Sequence, residues 1–168
     1  MKGGMRMGRL SKEMQGFKQK PPAGITCRPV VDDVYDHLVA RMRGPEGSPY
    51  EEGTFTLDIT IPEKYPLEPP HVKFSTPIYH PNIDKAGRIC MDMLKMKEGG
   101  WLPTISIESL LIAIQYLLFH PNPDDPLEKD IAHEYKYDHP KFVSKAQEYT
   151  KQYIILSLIK MICKGGPT

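Results

Sequence analysis

Cysteine and tryptophan are scarce in this chain of 168 residues, which contains three cysteines and one tryptophan. The cysteines, Cys27, Cys90 and Cys163, are odd in number, lie far apart and form no CxxC pair, so neither a disulfide framework nor a zinc ribbon is indicated. This usage is typical of a reducing compartment. The sequence also lacks zinc-protease, serine-hydrolase, phosphate-loop and dinucleotide-binding motifs, and its six histidines show no paired ligand spacing. We therefore expect neither a metal nor a cofactor.

Excess charge and long apolar runs are lacking too. The net charge is +1, which is too small to hold a polyanion by bulk electrostatics. Residues 1–20 carry six basic side chains against Glu13 alone, and the other 16 basic and 20 acidic residues give the rest of the chain a charge of -4. The most apolar run, residues 153–163, has 11 residues and contains Lys160. We expect no direct nucleic-acid partner and no membrane partner.

The residues that are present suit one folded domain, since 40% are hydrophobic and 26% are charged, and the 17 prolines predict several rigid loops. Apolar residues at helical spacing from Met7 to Phe17 predict a first helix that ends before Pro21. Four strand-like stretches follow, and the turns between them are too short for crossover helices, so the sequence predicts an antiparallel meander. These stretches are residues 25–31, 34–42, 54–61 and 72–74, and in the third stretch apolar and polar residues alternate strictly, which predicts one buried and one solvent-facing side.

Three further helices are predicted after an irregular stretch at residues 75–105. Ser106 is placed to cap a helix whose apolar stripe stops before Pro121. The tetrapeptide DPLE at 125–128 has the form of a capping box, and Asp138 precedes the last helix. Strands and helices are thus segregated along the chain, which predicts an α+β fold.

The irregular stretch contains Cys90, the catalytic candidate that remains once familiar motifs are excluded. On their own, a lone cysteine indicates a small buried hydrophobic residue, the HPN string at 80–82 a turn, and the Asp pair at 124–125 a helix N-cap. A thiol in a turn-rich loop with a nearby amide side chain also suits a presented nucleophile. The residues alone leave both interpretations of Cys90 open, whereas Cys27 and Cys163 are expected to be buried hydrophobic residues.

Three ordered strings, HPNI at 80–83, GRICMD at 87–92 and PNPDDPL at 121–127, together with Trp101, resemble the catalytic core of the ubiquitin-conjugating (E2) enzymes. The resemblance implies the UBC fold, an α+β fold with an N-terminal helix, a four-stranded antiparallel meander and three C-terminal helices. That order agrees with the one predicted from the residue pattern. The chain then divides into an N-terminal extension (1–4), a UBC core domain (5–153) and a C-terminal tail (154–168).

The resemblance also implies roles around the cysteine. Cys90 is expected to be the nucleophile that holds ubiquitin as a thioester, and the Asn82 amide to supply or organise the donor for the tetrahedral oxyanion. Asp125 is expected to be the acidic gate for the incoming lysine. The other implied site residues are Leu127, which would line the approach, Asp92, a nearby carboxylate, and His80 and Pro81, which would be structural.

The implied partners are ubiquitin, an E1 activating enzyme, a RING E3 and a protein substrate. In this family two proline-containing loops bind the RING of an E3, and E1 and E3 engage the same first helix, so they are expected to bind in turn. The implied surface residues are Arg9, Leu67, Leu102, Pro103 and Thr104.

Within the family, the sequence is most similar to the T-type branch of the Fanconi anaemia pathway, on the segments PAGITC at 22–27, TPIY at 76–79 and DKAGR at 84–88. This similarity implies a Fanconi-type RING E3, monoubiquitination in DNA interstrand crosslink repair, and residence in the nucleus, with the cytoplasm as a second compartment. Leu67 in place of the usual Phe, and Gly99-Gly100 in place of a proline-containing insert, depart from that branch. These departures concern the choice of E3 more than the E2 chemistry.

Lys95 follows Cys90 by five residues and is a candidate for self-modification, because an amine close to a thioester has a high effective concentration. An ordinary exposed lysine is the alternative. Two other functions suit the same strings: a catalytically silent E2-like adaptor that binds ubiquitin or an E3, and an E2 for another ubiquitin-like modifier. The joint presence of Cys90, Asn82 and Asp125 favours the enzyme over the adaptor, since a scaffold has no need of all three.

Overall fold

The computed structural model describes residues 2–165, which form one helix, a four-stranded sheet and three further helices in that order. A single 3₁₀ turn, Asp92–Leu94, interrupts the stretch between the sheet and the second helix. This is the α+β order expected of the UBC fold, and the predicted fold is confirmed. The elements are α1 (Lys2–Gln19), β1 (Ile25–Val31), β2 (Val34–Arg43), β3 (Thr54–Thr60), β4 (His71–Phe74), α2 (Ile107–Phe119), α3 (Lys129–Tyr137) and α4 (His139–Lys164).

The sheet is a meander in which each strand pairs antiparallel with the next, in the order β1-β2-β3-β4. The alternation predicted for β3 is present, because Phe55, Leu57 and Ile59 are buried while the residues between them are more exposed. One face of the sheet therefore belongs to the core. The cross-strand partners on β2 are buried on the same face: Met42, Ala40 and Leu38.

Helix α2 supplies much of the remaining core. Ser106 caps it as predicted, with its side-chain oxygen accepting from the Ser109 amide at 3.0 Å. The apolar stripe of α2, except Leu117, joins the buried face of the sheet and three residues of α1 in one hydrophobic cluster. The stripe consists of Ile107, Leu110, Leu111, Ile114, Leu117 and Leu118, and the α1 residues are Leu10, Met14 and Phe17.

Helix α3 begins later than predicted. The capping box expected at 125–128 is wrong, because α3 starts at Lys129 and no side chain caps it. The backbone amides of Leu127 and Glu128 instead donate to the Pro81 carbonyl, at 2.9 and 3.0 Å. Bonding to a distant loop replaces a local cap, and this leaves the acidic side chain at the start of the box free for another role.

Helix α4 continues past its last buried residue, Thr150, and crosses the boundary expected between residues 153 and 154 without a break. Cys163 lies on this exposed end, so the prediction that it is a buried hydrophobic residue is wrong. Cys27 is buried as predicted, and burial raises the pKa of its thiol to about 12.

The stretch from residue 2 to residue 165 contains no helix long and apolar enough to cross a bilayer. The outer ends of the expected extension and tail, residue 1 and residues 166–168, lie outside the described residues.

Candidate functional site

Cys90 lies in the long segment between β4 and α2, which is held by backbone bonds rather than by regular structure. Its amide donates to the Asn82 carbonyl at 2.9 Å, beside a short antiparallel bridge. The turn that joins the two sides needs Gly87, because its φ is +84° and a Cβ there would clash with the Phe74 carbonyl. The cysteine is thus presented on a fixed backbone with its side chain partly buried.

His80 is fully buried, and its contacts fix its tautomer. Its Nε2 lies 2.8 Å from the Leu117 carbonyl, which can only accept, and the Asn82 amide donates to its Nδ1 at 3.0 Å. The proton is therefore on Nε2 and the ring is neutral. Burial lowers the pKa of His80 from 6.5 to about 4. A ring with both nitrogens engaged within the fold has none left to act as a base.

His80 is expected to make the folded protein less stable in mild acid. Its lowered pKa means that the unfolded chain binds more protons than the folded one between pH 6.5 and about 4. The free energy of unfolding should therefore fall by about 2 kcal/mol from pH 7.5 to pH 5. Urea denaturation at the two pH values measures this difference.

A matched pair of variants isolates the His80 contribution. His80→Gln should lower stability at pH 7.5 but lose most of the dependence on pH, whereas substitution of the exposed His133 by Gln should keep the wild-type dependence. Equal pH dependence in wild type and His80→Gln would contradict the assignment.

The Asn82 side chain is buried, and all of its polar groups are engaged. Its Nδ2 donates to the carbonyls of Asn122 (2.7 Å) and Asp125 (3.1 Å), and its Oδ1 accepts from the Asn122 amide at 2.8 Å. Both amide protons are used to hold the segment at 122–125. Of the two roles considered for Asn82, these contacts favour organising the site over donating directly to an oxyanion.

A second set of hydrogen bonds also joins the segment at 122–128 to the loop at 80–82. The Pro81 carbonyl accepts from two backbone amides of this segment, and the Leu127 side chain within it remains exposed. The hydrogen bonds of Asn82 and those to the Pro81 carbonyl together fix the position of Asp125 relative to the Cys90 thiol, although 35 residues separate Asp125 and Cys90 in sequence.

A carboxylate and an ammonium group flank the thiol of Cys90. Its Sγ lies 3.3 Å from Asp125 Oδ2 and 3.5 Å from Lys95 Nζ. Burial raises the pKa of the Cys90 thiol, the hydrogen bond to Asp125 raises it further, and Lys95 acts in the opposite direction. The sulfur is therefore a thiol at neutral pH rather than the preformed thiolate of an activated nucleophile.

Lys95 lies at the centre of a small network of charges. Its Nζ is 3.6 Å from Asp125 Oδ2 and 3.5 Å from Asp92 Oδ1, and Lys97 Nζ contacts the same Asp92 oxygen at 2.8 Å. The hydrogen bond from Lys97 lowers the pKa of Asp92, and Lys95 adds to this effect. Partial burial lowers the pKa of Lys95, but its contacts with Cys90, Asp125 and Asp92 together raise this pKa by more, so the pKa of Lys95 is raised overall. Asp92 is linked to the thiol through Lys95.

Two loops that are joined by a hydrogen bond carry exposed side chains on another part of the surface. The first loop follows β3 and the second precedes α2, and Trp101 Nε1 joins them by donating to the Pro66 carbonyl at 2.8 Å. Exposed apolar side chains on a braced frame suit a docking surface. The exposed residues are Leu67, which is 66% exposed, Leu102, which is 58% exposed, and Pro103 and Thr104 beside it.

Arg9 is engaged within the fold. Its guanidinium donates to the carbonyls of Pro103 and Ile105, both at 2.8 Å, and its Nε donates to Glu13 at 3.2 Å. Glu13 in turn accepts from the Tyr65 hydroxyl. Arg9 therefore braces the second loop, and its contact with E1 or E3 stays a prediction.

Three residues of this geometry were not predicted as functional: Asn122, Lys97 and Glu13. Asn122 binds Asn82 through its backbone, which no residue type reveals. Glu13 did leave a signal, since it is the single acidic residue of a basic arm. Within residues 2–165, no cluster of His, Cys, Asp or Glu is placed to hold a metal ion.

Comparison with known proteins gives matches over most of the chain. The family model described as ubiquitin-conjugating enzyme matches residues 9–150. The protein named ubiquitin-conjugating enzyme E2 T from Homo sapiens is 48% identical over 149 residues, which cover 88% of this chain and 75% of that protein. The Mus musculus protein of the same name is 50% identical over 149 residues, with 88% and 72% covered. Ubiquitin-conjugating enzyme E2 13 from Schizosaccharomyces pombe is 42% identical over 147 residues, with 88% and 97% covered.

Proposed function

The chain belongs to the ubiquitin-conjugating enzyme family, and from this premise we propose which residues carry out its transfer reaction. It is a ubiquitin transferase that works with ubiquitin, an E1 and an E3. In the proposal, Cys90 accepts the ubiquitin C-terminus from E1 as a thioester. With a RING E3 bound, it passes the ubiquitin to a lysine of a protein substrate.

The observation that carries the proposal is the position of the Cys90 sulfur. It is partly exposed and lies 3.3 Å from the Asp125 carboxylate. The hydrogen bond from the Asn82 side chain to the Asp125 carbonyl holds the segment that carries this carboxylate in place. The other two cysteines are less suited, because Cys27 is buried and the Asp125 carboxylate accepts from Cys90 rather than from Cys163.

Loading of Cys90 exchanges one thioester for another. The acyl carbon forms a bond to Cys90 Sγ, its bond to the E1 sulfur breaks, and the thiol proton ends on E1. Bonds of the same kind form and break, so the step is nearly balanced in free energy and needs no strongly activated nucleophile. A thiol with a raised pKa is adequate for this step.

Transfer to lysine is the harder step. The amine nitrogen bonds to the thioester carbon, the carbon–sulfur bond breaks, the nitrogen loses its proton and Cys90 recovers a thiol. A free lysine, with a pKa of about 10.4, is almost wholly protonated at neutral pH. The Asp125 carboxylate is 64% exposed beside the sulfur, so it can hold an incoming ammonium group and take a proton from it, and the neutral amine can then attack the thioester carbon.

We further propose that the E3 is a RING protein of the Fanconi type, that the product is a single ubiquitin on a DNA-repair substrate in interstrand crosslink repair, and that the enzyme works in the nucleus. Support comes from relatives named ubiquitin-conjugating enzyme E2 T at 47–50% identity. Exposed Leu67 and Leu102 on braced loops offer the E3 an apolar surface.

Reconstitution with E1, ATP, ubiquitin, a Fanconi-type RING E3 and its substrate tests this assignment. One ubiquitin per substrate is the expected product on a gel. Leu67→Asp should lower the E3-dependent rate at least tenfold, because it places a charge in an apolar contact, and a loss of about 1.4 kcal/mol is tenfold. Leu67→Phe, which restores the family's usual residue, should raise the rate.

Val31 provides the control for this experiment, since it is an apolar residue of the β1–β2 hairpin with similar exposure to Leu67. Val31→Asp should transfer at the wild-type rate. Failure of the E3 to stimulate transfer, or a wild-type rate for Leu67→Asp, would refute the Fanconi assignment while leaving the loading reaction intact.

We also propose that Lys95 modifies itself when no other acceptor is present. Its Nζ lies 3.5 Å from Cys90 Sγ, and a tethered amine at this range has a high effective concentration. The nitrogen bonds to the thioester carbon as the sulfur leaves, so the product is an isopeptide at Lys95 and a free Cys90 thiol. The raised pKa of Lys95 keeps it protonated at neutral pH, so the reaction is slow.

A further inference from the structure

The ammonium group of Lys95 stands where an attacking lysine would have to stand. Its Nζ is 3.5 Å from Cys90 Sγ and 3.6 Å from Asp125 Oδ2. An attacking amine bonds to the thioester carbon, which is itself bonded to Sγ, so an amine in contact with Sγ lies next to the atom that it would have to approach to about 3–3.5 Å. The carboxylate that is expected to receive an acceptor lysine is already paired with a lysine of the enzyme.

We propose that Lys95 is a placeholder for the acceptor lysine, and that every incoming amine must displace it from Asp125 before attack. The inference rests on the function proposed above, because it needs Cys90 to carry the thioester and Asp125 to receive the acceptor. Lys95 then determines specificity. An amine that binds weakly competes poorly with it, whereas a lysine delivered by a docked substrate competes well.

The backbone of Lys95 is firmly held. Its amide donates to the Asp92 carbonyl at 2.9 Å, and its own carbonyl accepts from the amides of Lys97 (3.1 Å) and Trp101 (2.9 Å). Gly100 lets the chain return this closely, since a Cβ there would clash with the Lys95 carbonyl. The side chain therefore projects from a fixed point toward the thiol.

The amine at the end of that side chain is held much more loosely. It lies 3.5–3.6 Å from the sulfur and from each of the two carboxylates, and the side chain is 40% exposed. Ion pairs between exposed side chains shift equilibria by no more than about fivefold. Asp92 gives the displaced ammonium group a second partner. A fixed anchor with a weakly held end is what an exchangeable occupant requires.

Single-turnover discharge to free L-lysine tests the placeholder. Each enzyme is loaded with E1, ATP and ubiquitin, loading is stopped with EDTA, and the loss of thioester is followed at increasing lysine concentrations. The rate without lysine is subtracted. Lys95→Met should lower the half-saturating lysine concentration about two- to fivefold, because it removes the group that competes for the Asp125 carboxylate.

Two variants serve as controls. Lys95→Arg keeps a cation against Asp125 and should keep the wild-type half-saturating concentration. Lys85→Met removes an exposed positive charge from the same loop that makes no hydrogen bond or ion pair with Cys90, Asp92 or Asp125, and it should also behave as wild type.

The arm without lysine measures self-modification by peptide mass spectrometry. Wild type should accumulate ubiquitin on Lys95, whereas neither Lys95→Met nor Lys95→Arg should. The arginine variant thus separates the two roles, since it occupies the site but is not modified.

An unchanged or higher half-saturating concentration in Lys95→Met overturns the placeholder, and normal loading in the same tubes then leaves the proposed function standing. An equal fall in Lys85→Met also overturns it, because general loss of positive charge then accounts for the effect. If wild type forms no thioester at all, the proposed function fails and this inference fails with it.

Discussion

Replacing Cys90 by alanine is expected to abolish the thioester: no adduct that dithiothreitol cleaves should form when the variant is mixed with E1, ATP and ubiquitin. The loss should be complete, because burial raises the pKa of the Cys27 thiol to about 12, and the Asp125 carboxylate is hydrogen-bonded to Cys90 and not to Cys163. Non-reducing gels with and without dithiothreitol measure the adduct. Cys90→Ser should instead give an adduct that resists dithiothreitol, since an oxygen ester replaces the thioester.

Cys163→Ser is the matched control and should load like wild type. An adduct on Cys90→Ala that dithiothreitol cleaves would contradict the assignment and place the thioester on another cysteine. A wild-type enzyme that forms no adduct would favour the silent adaptor. An adduct formed with another ubiquitin-like modifier but not with ubiquitin would identify an E2 of a different pathway.

The regular elements of the fold were predictable because their local signals agree with their packing. The strict alternation from Thr54 to Thr60 predicts a strand with one buried face, and that face lies in the core. Ser106 and the apolar stripe after it predict α2 with its cap. In both elements the residue pattern alone decides which side is buried.

The capping box at 125–128 failed for a physical reason. A cap is a local arrangement, but the amides it would use are bonded to the Pro81 carbonyl, more than 40 residues away in sequence. The exposed end of α4 is similar, because an apolar run predicts burial only when a neighbouring element covers it. Neither outcome is encoded in short-range pattern.

The site was predictable as a set of residues but not as a geometry. The strings around Cys90, Asn82 and Asp125 carry the resemblance to the family, whereas the contact between Lys95 and Asp125 joins residues 30 positions apart. The sequence placed Lys95 near the cysteine and gave no indication that it pairs with the gate carboxylate. Side-chain pairing across a loop depends on hydrogen bonds between distant segments, which the residue types do not show.

Asn82→Ala is expected to lower the discharge of a preloaded thioester to free lysine by about 100-fold, because a misplacement of about 1 Å at a reacting site costs about this much. It should also lower the free energy of unfolding by about 2–4 kcal/mol, because three partly buried hydrogen bonds of a buried side chain are lost. Single-turnover rates, normalised to the loaded fraction, and urea denaturation measure the two effects. Asn122→Ala is the control, since Asn82 binds only its backbone, and both effects should be small.

A double-mutant cycle with Asp125→Ala decides how Asn82 acts. Both of its amide protons are already bonded to the carbonyls of Asn122 and Asp125, so its effect on rate should pass through the position of the Asp125 segment. The Asn82→Ala, Asp125→Ala double variant should then be little slower than Asn82→Ala alone. If Asn82 instead donates directly to the oxyanion, the two losses multiply, and one amide proton must leave its carbonyl during the reaction. Multiplicative losses would therefore refute the organising role that these contacts favour.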